Sequence, residues 1–207
     1  MSAISSASPS ALRSPDSQRR AALEVLLSRQ SVSALQEPAP DDSDLALILE
    51  AGLRAPDHGR LRPWRFMLIE GDQRRKFGEM LAASALRRTP GLSEGDLQRE
   101  RGKALRAPLI IVVACRIVPG TKVPAIEQLM AAGAAAQNIL LALHSLGYLA
   151  AWKTGEAAYD TEVKRALGLN ADDHLVGFIY TGRGAEATIA GGKAATVQEA
   201  MLEFPGG

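Results

Sequence analysis

Between Arg54 and Phe66 the chain places four arginines (Arg54, Arg60, Arg62, Arg65), His58 and Trp64 in a turn punctuated by Pro56, Gly59 and Pro63, just ahead of an apolar run. Two prolines restrict the path of such a loop, so guanidinium and imidazole donors are held at low entropic cost, an arrangement suited to an anionic, planar ligand. A solvated basic connection has the same composition. Two distant segments share the character, however: Ser28-Arg29-Gln30-Ser31 at the close of a helical pattern, and Trp152-Lys153-Thr154-Gly155 after an alanine-rich stretch.

Those segments, in that order, resemble the FMN-dependent nitroreductase family, and within it the compact single-domain members. There the first motif reads Arg-Arg-Ser, the second runs from Ala-Pro-Asp/Ser to Gln-Pro-Trp, and the third is Trp-Arg-Ser or a relative. This chain keeps Arg29 and Ser31 but has Gln30 between them, Arg62 where the family often has Gln, and Lys153-Thr154 in place of Arg-Ser. The resemblance runs from about Arg20 to Arg183. It implies an α+β (mixed α/β) fold with a central mixed sheet flanked by helices, an obligate homodimer, and FMN as cofactor. NADH or NADPH would donate electrons, and a nitroaromatic, quinone or enone would accept them in a ping-pong cycle. The flavin carries the redox chemistry in this reading, so no catalytic side chain is required. A non-catalytic flavin carrier or sensor is the alternative, for which Gln30 and Lys153-Thr154 leave room.

Under the resemblance each residue has a role and a rival. Arg29 and Ser31 offer a guanidinium fork and a hydroxyl to the FMN phosphate, with Gln30 beside them, but a cation at a helix C-terminus is also favourable against the carbonyls there. A cation near N1 and O2 of the ring stabilises the reduced flavin, and both Arg54 and Lys153 are candidates. Lys153 would then tune the flavin. Trp152 is either an aromatic wall or a packing surface, Thr154 and Gly155 supply a hydroxyl and backbone N–H groups, and His58 can donate to ribityl or ring oxygens. The site is expected to be composite, with Arg29, Ser31 and Trp152 to Thr154 from one subunit and Arg54 and His58 from the other. Trp64 reads as a core anchor, His144 as a packed histidine, and Glu127-Gln128 as first-turn capping. Gly182-Arg183-Gly184 lacks the third glycine and following helix of a dinucleotide fingerprint.

The elements that must position these residues follow from periodicity. Leu23, Leu26 and Leu27 mark an amphipathic helix over Arg19 to Arg29, and Leu45, Ile48, Leu49 and Leu53 a second one capped by Asp42, Ser43 or Asp44. Arg65 to Ile69 is strand-like. Gly71-Asp72 opens a helix through Phe77, Met80 and Leu81, and the polar stretch Thr89 to Arg106 is expected to form a mobile helix without a catalytic part for Glu94, Glu100 or Arg101. Leu109 to Cys115 reads as a strand buried on both faces, and Pro124 to Ser145 as a long Ala/Gly-rich helix, apolar nearly all round, that favours a dimer interface. Gly147 to Trp152, a helix over Thr161 to Leu167 and a strand over Leu175 to Thr181 complete the list.

With 207 residues, 46% of them hydrophobic and 23% charged, the chain can bury one sizeable core. Its net charge of +1 and 4% aromatic content argue against nucleic acid, and its longest apolar stretch, Met130 to Leu146, against a membrane span. One cysteine, Cys115, leaves no internal disulfide and fits a reducing cytoplasm, where it reads as a buried filler; zinc-ligand spacing is absent, so no metal is expected. Residues 1–17, rich in Ser, Ala and Pro, read as a disordered tail ahead of a single FMN-binding domain over 18–207. The segment after Gly184 is expected to reach the partner subunit.

Overall fold

The computed structural model describes residues 15–184 and 196–201. Most of the expected N-terminal tail and most of the C-terminal arm therefore lie outside the described residues.

The first helix, α1 (Pro15–Ser28), starts four residues before the expected Arg19. Proline suits the first helical position because its missing N–H would be unpaired there anyway. Helix α2 (Asp42–Leu53) is capped by Asp41, whose carboxylate accepts from the Asp44 N–H at 2.9 Å and from the Ser43 hydroxyl at 2.7 Å. The cap thus falls one residue before those expected. After β1 (Trp64–Glu70) come α3 (Gln73–Arg88), α4 (Glu94–Lys103), β2 (Leu109–Cys115) and α5 (Ala125–Ser145). The chain closes with β3 (Leu149–Lys153), α6 (Thr161–Ala166), β4 (His174–Gly182) and α7 (Val197–Ala200).

The polar stretch after α3 is ordered by its own ends. Ser93 and Asp96 form a capping box at the start of α4, and Arg101 pairs with Glu79 and Glu94. A Cβ on Gly78 would sit 2.7 Å from the Arg101 carbonyl, so α3 and α4 touch backbone to backbone. Such packing is not that of a loose polar cover.

The four strands pair in the order β1-β2-β4-β3, antiparallel throughout. The only parallel pairing among the described residues is an isolated bridge between Ser31 and Ala150. All seven residues of β2 are buried because helices cover both faces of the sheet. On one face Phe77 and Leu81 of α3 and Val163 of α6 meet Ile110, Val112 and Phe178, with the Phe77 and Phe178 rings 5.2 Å apart. On the other, Ile48 of α2 and Ile139 and Leu143 of α5 meet Ile111, Val113 and Ile179. Each such side chain contributes roughly 1.5–3 kcal/mol by burial.

Helix α5 is long and apolar enough to pass for a membrane span, yet one of its sides is packed into this core. Its alanines and Gly52 of α2 permit close approach: a Cβ on Gly52 would meet Ile139 and Phe66 at 3.0 Å. Among the described residues nothing covers the remaining side of α5, where Ile126 and Met130 are 60% and 65% exposed. The stripe on α1 is likewise open, with Leu23, Leu26 and Leu27 all more than half exposed. Trp64 is buried as a core anchor, and Cys115 is fully buried, its thiol pushed up to about 11 by desolvation and by the nearby Asp173, against the opposing pull of Arg65.

Candidate functional site

Leaving α1, the chain runs beside the edge of β3. Ser31 bridges Ala150, the Val32 N–H donates to the Ala150 carbonyl at 3.0 Å, and a second bridge joins Gln36 to Arg183. The register places Arg29, Gln30 and Ser31 beside the strand that leads into Trp152, Lys153 and Thr154. Arg29 is half-buried, yet among the described residues its guanidinium has no hydrogen-bond or ion-pair partner. The helix-end carbonyls are thus not its destination; the Ser28 hydroxyl instead donates to the Glu24 carbonyl at 2.5 Å. Gln30 and Ser31 are exposed.

Next to this edge lies a cavity of about 580 Å³, a size typical of cofactor sites. Ala151, Phe178, Leu35 and Leu81 give it apolar surface, and Tyr180 adds a phenol that burial pushes up to about 12, so it stays un-ionised at neutral pH. One wall is the loop from Trp152 to Ala157. Gly155, at φ 67°, turns the chain there through a conformation that a side chain would strain. The indole of Trp152 lies against Gly177, where a Cβ would overlap it, and its N–H donates to the Val176 carbonyl at 3.1 Å. Trp152 therefore both packs the core and lines the cavity.

Four cations face this space: Lys153, Arg88, Lys103 and Arg106. Lys103 is paired with Glu100 at 2.5 Å, whereas Arg88, Arg106 and Lys153 have no carboxylate partner among the described residues. Three of these cations were not singled out from sequence, and Lys103, Arg106 and Glu100 come from the stretch expected to carry no function. The available signal was their position: the last turn of a polar helix and the linker running into a fully buried strand. Ser33, two residues past Ser31, also lines the cavity.

Arg54 and His58 lie elsewhere. Arg54 ends α2 and is exposed, while His58 Nδ1 sits 2.7 Å from Glu127 Oε2 at the start of α5. The loop from Asp57 to Arg65 is braced internally: the Asp57 carboxylate accepts from the Arg62 N–H at 2.6 Å, and Arg65 donates to the carbonyls of Arg62 and Trp64. At the far end of α5, His144 Nε2 lies 2.8 Å from Ser28 Oγ, which makes it the packed, partnered histidine expected. Seventeen residues of helix at 1.5 Å each separate Glu127 from His144, about 25 Å. His58 is thus held at one end of α5 and Ser28, the neighbour of Arg29, at the other, while the Ala51 carbonyl, three residues before Arg54, accepts from Asn138 midway along the helix. Within one chain Trp152, Lys153 and Thr154 line the cavity and Ser31 bridges Ala150 on the strand that leads into them, whereas Arg29, Gln30, Ser31, Arg54 and His58 are not among the residues lining it.

Two further motifs are structural. The buried Gln128 side chain accepts from the Val118 N–H and donates to the carbonyls of Val118 and Val123, fixing the loop before α5. Arg183 stacks on Tyr148 at 3.9 Å and donates to the carbonyls of Leu146 and Gly147, while Gly182 and Gly184 let the segment after Ser33 approach.

Residues 26–183 match the Nitroreductase family. The Escherichia coli (strain K12) protein named "Putative NAD(P)H nitroreductase YdjA" is 39% identical over 161 residues, covering 78% of this chain and 87% of its own. A Haemophilus influenzae protein of the same description is 34% identical over 166 residues, covering 80% and 89%. Among solved structures, a nitroreductase-like family protein from Bacillus cereus superposes with a TM-score of 0.74 at 27% identity, over 89% of this chain and 96% of that one. A Desulfovibrio desulfuricans protein, described as a "putative nitroreductase in complex with FMN", gives 0.68 at 28%, over 90% and 98%. The chain belongs to the nitroreductase family.

Proposed function

We propose that this protein is an NAD(P)H-dependent flavin oxidoreductase that holds FMN in the cavity beside β3. The observation that carries the reading is the parallel Ser31–Ala150 bridge, which runs the segment after Arg29 alongside β3 so that Ser33 joins Trp152 to Gly155 around a cavity with apolar walls and a cationic rim. The donor set fits the cofactor. Arg29 and Ser31 supply a fork and a hydroxyl for its phosphate, the surface of Phe178, Leu35 and Ala151 suits a flat ring, and Thr154, Gly155 and Ser33 offer polar groups for its edges. When bound, FMN supplies the redox chemistry, accepting hydride from NADH or NADPH and delivering it to a nitroaromatic, quinone or enone in ping-pong order. The protein's part is to position and to offset charge. Lys153, with Lys103 and Arg106, would offset the negative charge of a reduced flavin held in this cavity, and the partly closed space would strengthen that effect by limiting water.

The functional unit is a homodimer. Neither Arg54 nor His58 lines the cavity of its own chain, and the exposed apolar residues of α1, α2 and α5, among them Leu27, Leu53 and Met130, give a second copy a surface to bury. That copy would bring its Arg54 and His58 to this cavity.

The test is direct. Purified protein should show flavin absorbance that anaerobic NADH or NADPH bleaches and a quinone or nitroaromatic restores. A bound flavin that dithionite bleaches and neither nucleotide does would establish a carrier or sensor instead.

A further inference from the structure

Arg88 closes α3 and faces the cavity from the helical layer that α3 shares with α6, on a different element from Arg29 and Ser31. Its guanidinium donates to Ser84 Oγ, one turn back, at 2.6 Å. Ser84 is fully buried and donates in turn to Asp160 Oδ2 at 2.5 Å. Asp160 is nine-tenths buried, accepts from Arg87 at 2.7 Å, and caps α6 through the N–H groups of Glu162 and Val163. Burial works to raise the Asp160 carboxyl, but the bonds from Ser84, Arg87 and the two backbone N–H groups outweigh it and hold the group at about 2.

The consequence is a division of charge. The Asp160 carboxylate is paired with Arg87 and not with Arg88, and Ser84, which holds Arg88, is neutral. Among the described residues Arg88 has one hydrogen bond and no carboxylate partner, so a fixed fork with four of its five N–H donors uncommitted faces the cavity. Arg106, also without a carboxylate partner, lines the same space. A fork pre-oriented on one side and open on the other is the arrangement that binds phosphate with least loss of side-chain entropy. In the flavin reading the cofactor phosphate is met by Arg29 and Ser31, which leaves this second cationic group for a second phosphate.

Resting on that reading of the cavity, we propose that Arg88, positioned by Ser84 and through it by Asp160, binds a phosphate of the nicotinamide dinucleotide donor. Two phosphates share the chemistry: the 2′-phosphate present only in NADPH, and the pyrophosphate common to both nucleotides.

The experiment is anaerobic stopped-flow reduction of FMN-loaded protein by NADPH and by NADH, in the native chain and in Arg88→Gln. Arg88 is exposed and terminal in its helix, so this variant is expected to fold. Loss of a charged hydrogen bond should raise the donor dissociation constant at least about tenfold, with the limiting reduction rate within about twofold and FMN content unchanged. A rise for NADPH alone assigns the 2′-phosphate; a rise for both assigns the pyrophosphate. Ser84→Ala should reproduce the same donor pattern more weakly, which a merely structural role would not do. FMN-replete Arg88→Gln with both donor constants unchanged would overturn this contact and leave the flavin reading standing. A chain that takes up no FMN would overturn the flavin reading itself, and the contact with it.

Discussion

Ser31 and Ala150, 119 positions apart in the chain, pair across a parallel bridge, with the following N–H, that of Val32, donating to the Ala150 carbonyl at 3.0 Å. This contact turns two unrelated stretches of sequence into one edge. Upstream of it stands Arg29; three residues past Ala150 stands Lys153. Backbone pairing fixes their spacing more firmly than side-chain contacts would, because register is set by hydrogen-bonded main chain.

Arg29→Ala should lower FMN affinity by at least about tenfold, since a phosphate losing one charged hydrogen bond forfeits ~1.5–3 kcal/mol. Equilibrium titration of apoprotein with FMN reads this out. Because Arg29 has no partner among the described residues, thermal stability without FMN should change little; unchanged FMN affinity in a folded variant would take Arg29 out of the site.

Mixing Arg29→Ala with Arg54→Ala protein should restore FMN binding and turnover above either parent. Each heterodimer then carries one intact composite site and one bearing both defects. Mixed samples no better than the parents, after subunit exchange is verified by mass spectrometry, would mean that the two residues serve the same cavity from one chain.

Lys153→Met should lower the two-electron midpoint potential of the bound flavin by about 30 mV or more, equivalent to ~1.4 kcal/mol, while leaving most FMN affinity in place. Lys103→Met should do less, because Glu100 already offsets its charge. Spectroelectrochemistry of the three proteins decides the order; a potential that moves only in Arg54→Met would hand the role to the partner's loop.

Acid should expose the Asp160 cluster. A carboxyl held at about 2 against the ordinary 3.8 stabilises the fold above that ordinary value and loses its contribution as pH falls toward 2. Asp160→Asn should therefore cost about 2 kcal/mol at pH 6 and almost nothing near pH 2. Urea unfolding at both pH values measures it, and a penalty that does not shrink in acid would show that the charge is not what stabilises.

Gly177→Ala should destabilise the protein by about 3 kcal/mol or more, as overpacking in a buried strand does. The added Cβ would overlap the Trp152 indole and come within 2.8 Å of the Lys153 carbonyl. Tryptophan fluorescence should shift along with the melting temperature; a native-like spectrum would mean that β3 yields without moving Trp152.

Local chemistry was legible in the sequence because it depends on near neighbours. The helix ending at Ser28, the buried run from Leu109 to Cys115, the basic turn before Trp64, and the residue types at Arg29, Ser31 and Trp152 to Thr154 all follow from spacing and side-chain character. What the sequence could not carry is which elements meet. A strand apolar on every residue reads the same in a parallel sheet and in this antiparallel one, since burial on both faces comes from the helices above and below it. The Leu23, Leu26 and Leu27 stripe announces an apolar face but not that it stays exposed among the described residues. Arg88 and Lys103 look like ordinary solvated charges on polar helices, and Arg106 like one in a linker; only the packing of α3 and α4 beside the loop after β3 turns them toward one cavity. The separation of His58 from Arg29 was likewise decided by tertiary structure, through the length of α5, a rigid rod of 21 residues that keeps its two ends apart.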